Sequence, residues 1–456
     1  MTGDGGIPTA PLAPLAPLAH GHHGHAWRRT THPARWCRLP TPLCPLVAVL
    51  SLTLGACGGS PPPGLCDSPG DAPPGSSIPL RVLPPLAADG VVYVGYTVLK
   101  DHYLPQTVIA ALRASDGALL WSVPDANYTY ANDTYPNRTR GMAYADGVLL
   151  LLGSGIVALR AQDGTTLWQA LPWGVNSDGA FHFAVSRGVL YIVRGDISAV
   201  RISDGRLLWQ TVASEGQAWS QPLVDGITVY VGADDLLALR ADTGALLWKA
   251  FPSTPALAKG SEYVPLGVVA GQLYVVATGT GPNGVLRVKP ADGASTDYPL
   301  PLPPTSTLLD PLLIMNGTLY VGVAVSLSAA DRRDIAAFRL RVSGATPLWR
   351  LSAGGGVMGI LAHDAQTLYL TLAEREAVQL TDGAVLWRQG EAFTQAGYVG
   401  GGGSNIEWAA DAGQLFVAIS GVGDPCEGRV YPAPTLTAFK RADGSVAWTR
   451  ALTARG

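Results

Sequence analysis

The sequence predicts an all-β fold, an eight-bladed β-propeller of four-stranded antiparallel blades. Three observations predict it. First, one phrase keeps returning: an apolar run, a small residue, an acidic-glycine turn, a second apolar run and a tryptophan, written as ALRASDGALLW at residues 111–121. Second, the closing aromatics are Trp121, Trp168, Trp209, Trp248, Tyr298, Trp349, Trp387 and Trp448. They are 47, 41, 39, 50, 51, 38 and 61 residues apart, a blade-sized period with loop insertions. Third, 55 glycines, 36 prolines and only 14% charged residues, against about a quarter in ordinary domains, imply many turns and few surface helices.

Residues 1–56 are expected to be a signal peptide with an extended n-region. Arg28, Arg29, Arg35 and Arg38 supply positive charge, and residues 43–56 form an apolar stretch too short for a comfortable membrane span. Leu54-Gly55-Ala56-Cys57 resembles a bacterial lipobox, which makes Cys57 the expected lipidation site and start of the mature chain. Two or more acyl chains on one residue anchor stably. His20, His22, His23 and His25 have metal-binding composition but fall on the side removed, so no function is assigned to them. Residues 57–80 are rich in Pro, Gly and Ser and are expected to be a tether behind the lipidated Cys57.

Residues 81–452 are the expected propeller. In residues 224–250, VDGITVYVGADDLLALRADTGALLWKA, the runs ITVYVG and LLALRA are rich in branched and aromatic residues and each ends in a turn signal. Asp-Gly recurs at 116–117, 163–164, 204–205, 292–293, 382–383 and 443–444, with Thr243-Gly244 and Ser343-Gly344 as variants. These pairs are expected to supply the positive φ of tight hairpins. The aromatic follows the glycine by four residues, or by five in the fifth and sixth units. An alanine stands six residues before the glycine at Ala111, Ala158, Ala199, Ala238, Ala377 and Ala438, and is missing at that distance in the same two units. The indole of one blade is expected to dock on the turn of the next, so that the eight aromatics fasten a closed ring with only short, protected edges.

The small residue, Asp-Gly or Thr-Gly turn and tryptophan resemble the docking motif of pyrroloquinoline quinone (PQQ) dehydrogenase-type propellers over roughly residues 81–451. With the lipobox, the layout is most similar to the eight-bladed BamB-type lipoproteins, which are scaffold subunits of outer-membrane protein assembly. This resemblance implies a non-catalytic protein-binding scaffold at the cell envelope. The alternative it implies is a PQQ-dependent alcohol or sugar dehydrogenase. Those enzymes carry an adjacent cysteine pair, and this chain has no Cys-Cys sequence and no CxxCH haem site. No catalytic residue, cofactor or metal is therefore assigned. Gly279–Gly284 matches GxGxxG but lies between strand-like runs with no helix to follow. Each turn aspartate is a single carboxylate where a calcium cage needs several.

Two cysteines remain once Cys57 is lipidated. In an oxidising compartment Cys66, before the first blade, and Cys426, in an insertion of the eighth, are expected to form a disulfide; the alternative is two unpaired thiols. The long connections between blades carry Tyr128, Tyr130, Tyr135, Trp173, Phe181, Trp219, Tyr263, Tyr398 and Trp408, the candidate partner surface. The bland alternative for any of them is packing on the inner strands or plugging the axis. Asn127, Asn132 and Asn137 open N-x-Thr sequons, read as loop asparagines. A net charge of −3 without a basic run argues against nucleic acid. The expected protein is a monomer at the cell membrane or outer membrane, with an envelope protein as partner and a cell-wall or sugar ligand as a further candidate.

Overall fold

A computed structural model describes residues 82–453, apart from 101–103, 126–138, 140, 154, 171–181, 213–219, 233–234, 251–261, 279–283, 304–305, 326–331, 355–358, 372–374, 390–405, 412 and 421–433. Every described element is a strand, and the strands form eight antiparallel sheets of four. Blade 1 is β1 (Leu86–Ala88), β2 (Val91–Lys100), β3 (Leu104–Arg113) and β4 (Leu119–Pro124). Blade 2 is β5 (Gly141–Ala145), β6 (Val148–Leu152), β7 (Ile156–Arg160) and β8 (Thr166–Ala170), and blade 3 is β9 (His182–Ser186), β10 (Val189–Arg194), β11 (Asp196–Arg201) and β12 (Leu207–Val212). Blade 4 is β13 (Leu223–Asp225), β14 (Thr228–Gly232), β15 (Leu236–Arg240) and β16 (Leu246–Ala250), and blade 5 is β17 (Glu262–Val269), β18 (Gln272–Thr278), β19 (Gly284–Val288) and β20 (Ser295–Asp297). Blade 6 is β21 (Ser306–Met315), β22 (Thr318–Val325), β23 (Arg332–Arg339) and β24 (Thr346–Gly354). Blade 7 is β25 (Gly359–His363), β26 (Thr367–Thr371), β27 (Arg375–Gln379) and β28 (Val385–Gln389), and blade 8 is β29 (Ile406–Ala410), β30 (Gln414–Ile419), β31 (Thr435–Lys440) and β32 (Val446–Ala451).

The first strand of each blade lies beside the first strand of the next, in the order β1, β5, β9, β13, β17, β21, β25, β29 and back to β1. The ring closes. Strand periodicity explains how it is glued. On β14, Val229 and Val231 point into the core shared with blade 3, and Tyr230 into the core shared with blade 5. The apolar interior is accordingly divided into eight clusters, one in each gap between neighbouring blades. Middle strands bury both faces, so they read as unbroken apolar runs such as Val-Leu-Leu-Leu-Leu in β6.

The turn chemistry departs from expectation. In the turns between third and fourth strands only the glycine has positive φ, for example Gly117 at 70° and Gly164 at 74°. The aspartate acts through its side chain: Asp116 Oδ1 accepts from Ala118 N at 2.9 Å while Gly117 N reaches back to Arg113 O at 2.8 Å. Two-residue turns with both φ positive join first to second strands instead, at Asp89-Gly90, Asp146-Gly147, Arg187-Gly188, Ala270-Gly271 and Asn316-Gly317. Ala270 is the least suited of these residues to a φ of 50°. Ala270→Asn is expected to stabilise by up to about 1 kcal/mol, because the short amide side chain can hydrogen-bond locally and offset the Cβ penalty of the left-handed region, which alanine cannot. A raised thermal midpoint would show it; an unchanged one would mean the turn carries no strain.

Candidate functional site

The repeated site is the joint between blades. In seven blades the outer-strand tryptophan faces the alanine of its own third strand, as with Trp121 opposite Ala111, Trp209 opposite Ala199 and Trp448 opposite Ala438. Every such alanine is fully buried. A β-bulge follows it in seven blades, and the added twist turns the indole toward the next blade. There the ring nitrogen donates to a turn carbonyl: Trp121 to Ala161 at 2.9 Å, Trp168 to Ile202 at 2.8 Å, Trp209 to Ala241 at 2.9 Å and Trp248 to Pro290 at 2.7 Å. Trp349 donates to Leu380 at 2.9 Å and Trp387 to Arg441 at 2.8 Å. Trp448 donates to Ala114 at 2.8 Å, joining the last blade to the first.

The turn glycine of the receiving blade lies flat on the indole. A Cβ added at Gly117, Gly164, Gly205, Gly244, Gly293, Gly383 or Gly444 would come within 3.0 Å of the ring. Glycine is thus needed twice, for its φ and for the contact. The fifth joint is different. Tyr298 replaces the indole, donating through its hydroxyl to Arg341 O at 2.8 Å and accepting from Arg341 N at 3.0 Å. A Cβ added at Gly344, the glycine that would receive an indole, meets no described atom within 4 Å. Blade 6 keeps its alanine after all: Ala337 stands opposite Trp349, one residue farther from the turn glycine because the turn is longer.

Two further features were not singled out in the sequence. Seven blades place an aromatic on the second strand, with ring centroids 5.1 to 6.1 Å from the docking ring, as in Tyr93–Trp121 and Phe416–Trp448. Burial pushes the Tyr93 and Tyr274 hydroxyls up to about 12. The second feature is a polar pair across the two outer strands. Asp235 meets Lys249 at 2.5 Å, Glu376 meets Arg388 at 2.6 Å, Asp334 meets Arg350, and Asp196 accepts from Gln210 at 3.1 Å. Asp235, Asp334 and Glu376 are buried, and a buried carboxylate needs such a partner. The legible signal is an acid three residues, or one, before the docking alanine, with a basic or amide residue just after the tryptophan.

Charge also ties blade 7 to blade 8. Arg441 Nη2 donates to Asp364 Oδ2 at 2.7 Å, Tyr369 OH donates to the same oxygen at 3.2 Å, and the guanidinium lies 4.5 Å over the Tyr369 ring. Burial pushes the Asp364 carboxyl up, but the N–H groups of Gln366 and Thr367 and the Arg441 charge outweigh it and hold the group low. Four aspartates of the turns between third and fourth strands are held low as well: the Thr165 hydroxyl and N–H hold Asp163 down at about 2, and Asp116, Asp242 and Asp443 are also lowered. A folded carboxyl below its unfolded value of about 4 adds stability above that pH, and loses it as the pH falls toward the folded value. The thermal midpoint is expected to be flat above about pH 5 and to fall between about pH 4 and 2. A midpoint that rose in that window would contradict the turn hydrogen bonds.

Of the candidate partner residues, Tyr128, Tyr130, Tyr135, Trp173, Phe181, Trp219 and Tyr398 lie outside the described residues, as do Cys57, Cys66 and Cys426. Trp408 is on β29, its side chain outside the description. Tyr263 is the correction: it is 8% exposed, in the core between blades 4 and 5 at the head of β17, and does not display its ring. Its hydroxyl is pushed up by burial and then by Asp235. His182 on β9 is pushed down by burial, and His363 at the end of β25 is exposed. Gly284 opens strand β19, not a helix. Among the described residues no three His, Cys, Asp or Glu side chains converge as a metal site.

The profile of the family described as outer membrane protein assembly factor BamB matches residues 152–389. Among curated proteins none matches in sequence. Similar solved structures include the quinohemoprotein alcohol dehydrogenase of Comamonas testosteroni, at 13% identity over 76% of this chain and 71% of that one, with a TM-score of 0.51. A europium-containing methanol dehydrogenase is 15% identical over 77% of this chain and 85% of that one, at 0.50. These two share the fold. BamB from Moraxella catarrhalis is 17% identical over 82% of this chain and 96% of that one, at 0.45.

Proposed function

The chain belongs to the family described as outer membrane protein assembly factor BamB, and from that membership we propose that it is a non-catalytic scaffold that binds a protein partner at the cell envelope. The family match over residues 152–389 carries the reading. The joints described above support it, because they commit the repeated aromatics to holding blades together and leave the connecting loops to make outside contacts. A dehydrogenase reading rests on shared fold alone, and fold does not fix chemistry.

The reading includes an anchor at Cys57 and a tether over residues 57–80, which place the propeller at the membrane surface. It also includes a Cys66–Cys426 disulfide. Val82, 16 residues after Cys66, donates its N–H to Ser420 Oγ at 3.0 Å, and Cys426 follows Ser420 by six residues. The described residues nearest in sequence to each cysteine, Val82 and Ser420, are thus in contact, which supports the pairing.

Crosslinking in the intact envelope, then affinity purification, tests the function. Recovery of an outer-membrane assembly component supports it. Dye reduction by the protein reconstituted with PQQ and calcium, in the presence of alcohols or sugars, would replace it with the enzyme. Non-reducing peptide mass spectrometry tests the disulfide, and alkylated free Cys66 and Cys426 would remove it.

A further inference from the structure

The antiparallel order of each blade sorts its connections onto two faces. Turns between first and second strands and between third and fourth strands share one face; the second-to-third connections and the blade-to-blade connections share the other, the loop face. The described chain both enters and leaves at the loop face. Val82 bridges Tyr96, beyond the part of β2 that pairs with β1, and donates to Ser420 Oγ just past the end of β30. Thr453 follows β32, whose Ala451 stands opposite Thr435 at the loop end of blade 8, and its carbonyl accepts from Tyr96 OH at 3.1 Å.

Blade 1 also rises highest on this face. Its β2–β3 ladder runs ten pairs, to Lys100 opposite Leu104, against five in β6–β7, whereas β4 pairs no farther than Val108. The raised end carries Val98, Leu99, Lys100 and Leu104 in its two strands.

We propose that the loop face is turned toward the lipid surface that holds the anchor, and the turn face away from it. This rests on lipidation of Cys57, proposed above, and adds which side of the ring meets the membrane. Chain length selects the side. Val82 follows Cys57 by 25 residues, and a Gly/Ser linker of that length spans about 30 Å. To set the turn face against lipid, the linker would have to cross the blade to its rim, about 10 to 15 Å, and then descend a strand of about 17 Å, using its whole span before it reached the membrane. With the loop face toward lipid, all of that length stays available. The Cys66–Cys426 bridge sharpens the choice, because it leaves nine residues from Cys57 to Cys66, about 30 Å even at full extension. Those nine would start from the β30–β31 connection, itself on the loop face. The raised end of blade 1 suits this destination, since apolar residues beside a lysine fit the boundary between lipid and water.

Energy transfer from the protein to headgroup-labelled lipid tests the orientation. Val212 ends β12 on the loop face and is 73% exposed, and Val342 stands in the β23–β24 turn on the opposite face and is 60% exposed. Their blades, 3 and 6, are equally far round the ring from the seam where the chain enters, so tilt about the anchor moves both alike. A fluorescent coumarin amino acid is placed at 212 or at 342 of the lipidated full chain in phosphatidylethanolamine–phosphatidylglycerol vesicles. Across a blade of about 17 Å, transfer from position 212 is expected to exceed that from 342 by about twofold or more. Equal transfer, or more from 342, would overturn the orientation. No transfer from either position would remove the anchor and the orientation with it, while the scaffold reading would still be judged by crosslinking.

Discussion

Trp448→Ala is expected to destabilise the protein by about 3 to 5 kcal/mol and to open the ring, the loss usual for a large aromatic truncated in a core. The indole caps the cluster shared by blades 8 and 1, lies on Gly117 and donates to Ala114 O at 2.8 Å. Closure has few other contacts to fall back on, because blades 1 and 8 exchange no strand: β1 to β4 and β29 to β32 are each contiguous in the chain. Among the described residues what remains is Arg450 Nη1 to Gly117 O at 3.1 Å, Val82 N to Ser420 Oγ at 3.0 Å and Tyr96 OH to Thr453 O at 3.1 Å, together with the apolar cluster. Trp168→Ala removes the same contacts within the ring, where the chain itself still joins the blades. Limited proteolysis is therefore expected to cut Trp448→Ala near both ends faster than Trp168→Ala, with both under reducing conditions so that the proposed Cys66–Cys426 disulfide does not hold the seam. Equal cutting, with a stability loss under about 1 kcal/mol, would show that the seam does not depend on the indole.

Gly232→Ala is expected to cost about 3 kcal/mol or more, the upper end for overpacking. Gly232 ends β14, and an added Cβ would fall inside the carbonyl oxygen of Tyr263 on β17 of the next blade. The obstacle is backbone, so no rotamer relieves it. Ser220 further fixes the spot, its Oγ accepting from Gly232 N at 2.7 Å and its N–H donating to Gly232 O at 3.2 Å. Gly284→Ala is the matched control, since an added Cβ there meets no described atom within 4 Å. It is expected to stay within about 0.5 kcal/mol of the parent protein. Thermal or urea unfolding of the pair distinguishes a close approach from a general intolerance of alanine in strands.

The two glycines show where sequence reading stops. Gly117 is legible because its neighbours repeat eight times, so the phrase itself reports a shared role. Gly232 belongs to one close approach between two blades, and nothing near it in sequence marks Tyr263 as its neighbour. Blade count, docking residues and ring closure followed from periodicity for the first reason. The alanine of blade 6 was hidden because counting back from the turn glycine assumes a constant turn, whereas strand register places Ala337 opposite Trp349. Turn conformation was misassigned because Asp-Gly is compatible both with a two-residue turn and with a side-chain cap. The chain uses it for each purpose at the same end of a blade, as at Asp89-Gly90 and Asp116-Gly117, where Ala114 N donates to Gly90 O at 2.9 Å. Tyr263 was read as a surface aromatic because it follows a polar stretch, yet it already lies on β17 and inside a core. The cross-strand acid and base pairs were overlooked because only strand pairing brings residues such as Asp334 and Arg350 together.

The most direct test of the ring is amide-style hydrogen exchange at the indole nitrogens, read by ¹⁵N-tryptophan NMR after transfer to heavy water. Twelve tryptophans are present, and seven are docked through Nε1 onto a neighbouring blade. Seven indole signals are expected to persist, with Trp448 among them as identified by its loss in Trp448→Phe. A Trp448 indole that exchanges as fast as free tryptophan would contradict a ring closed through that side chain.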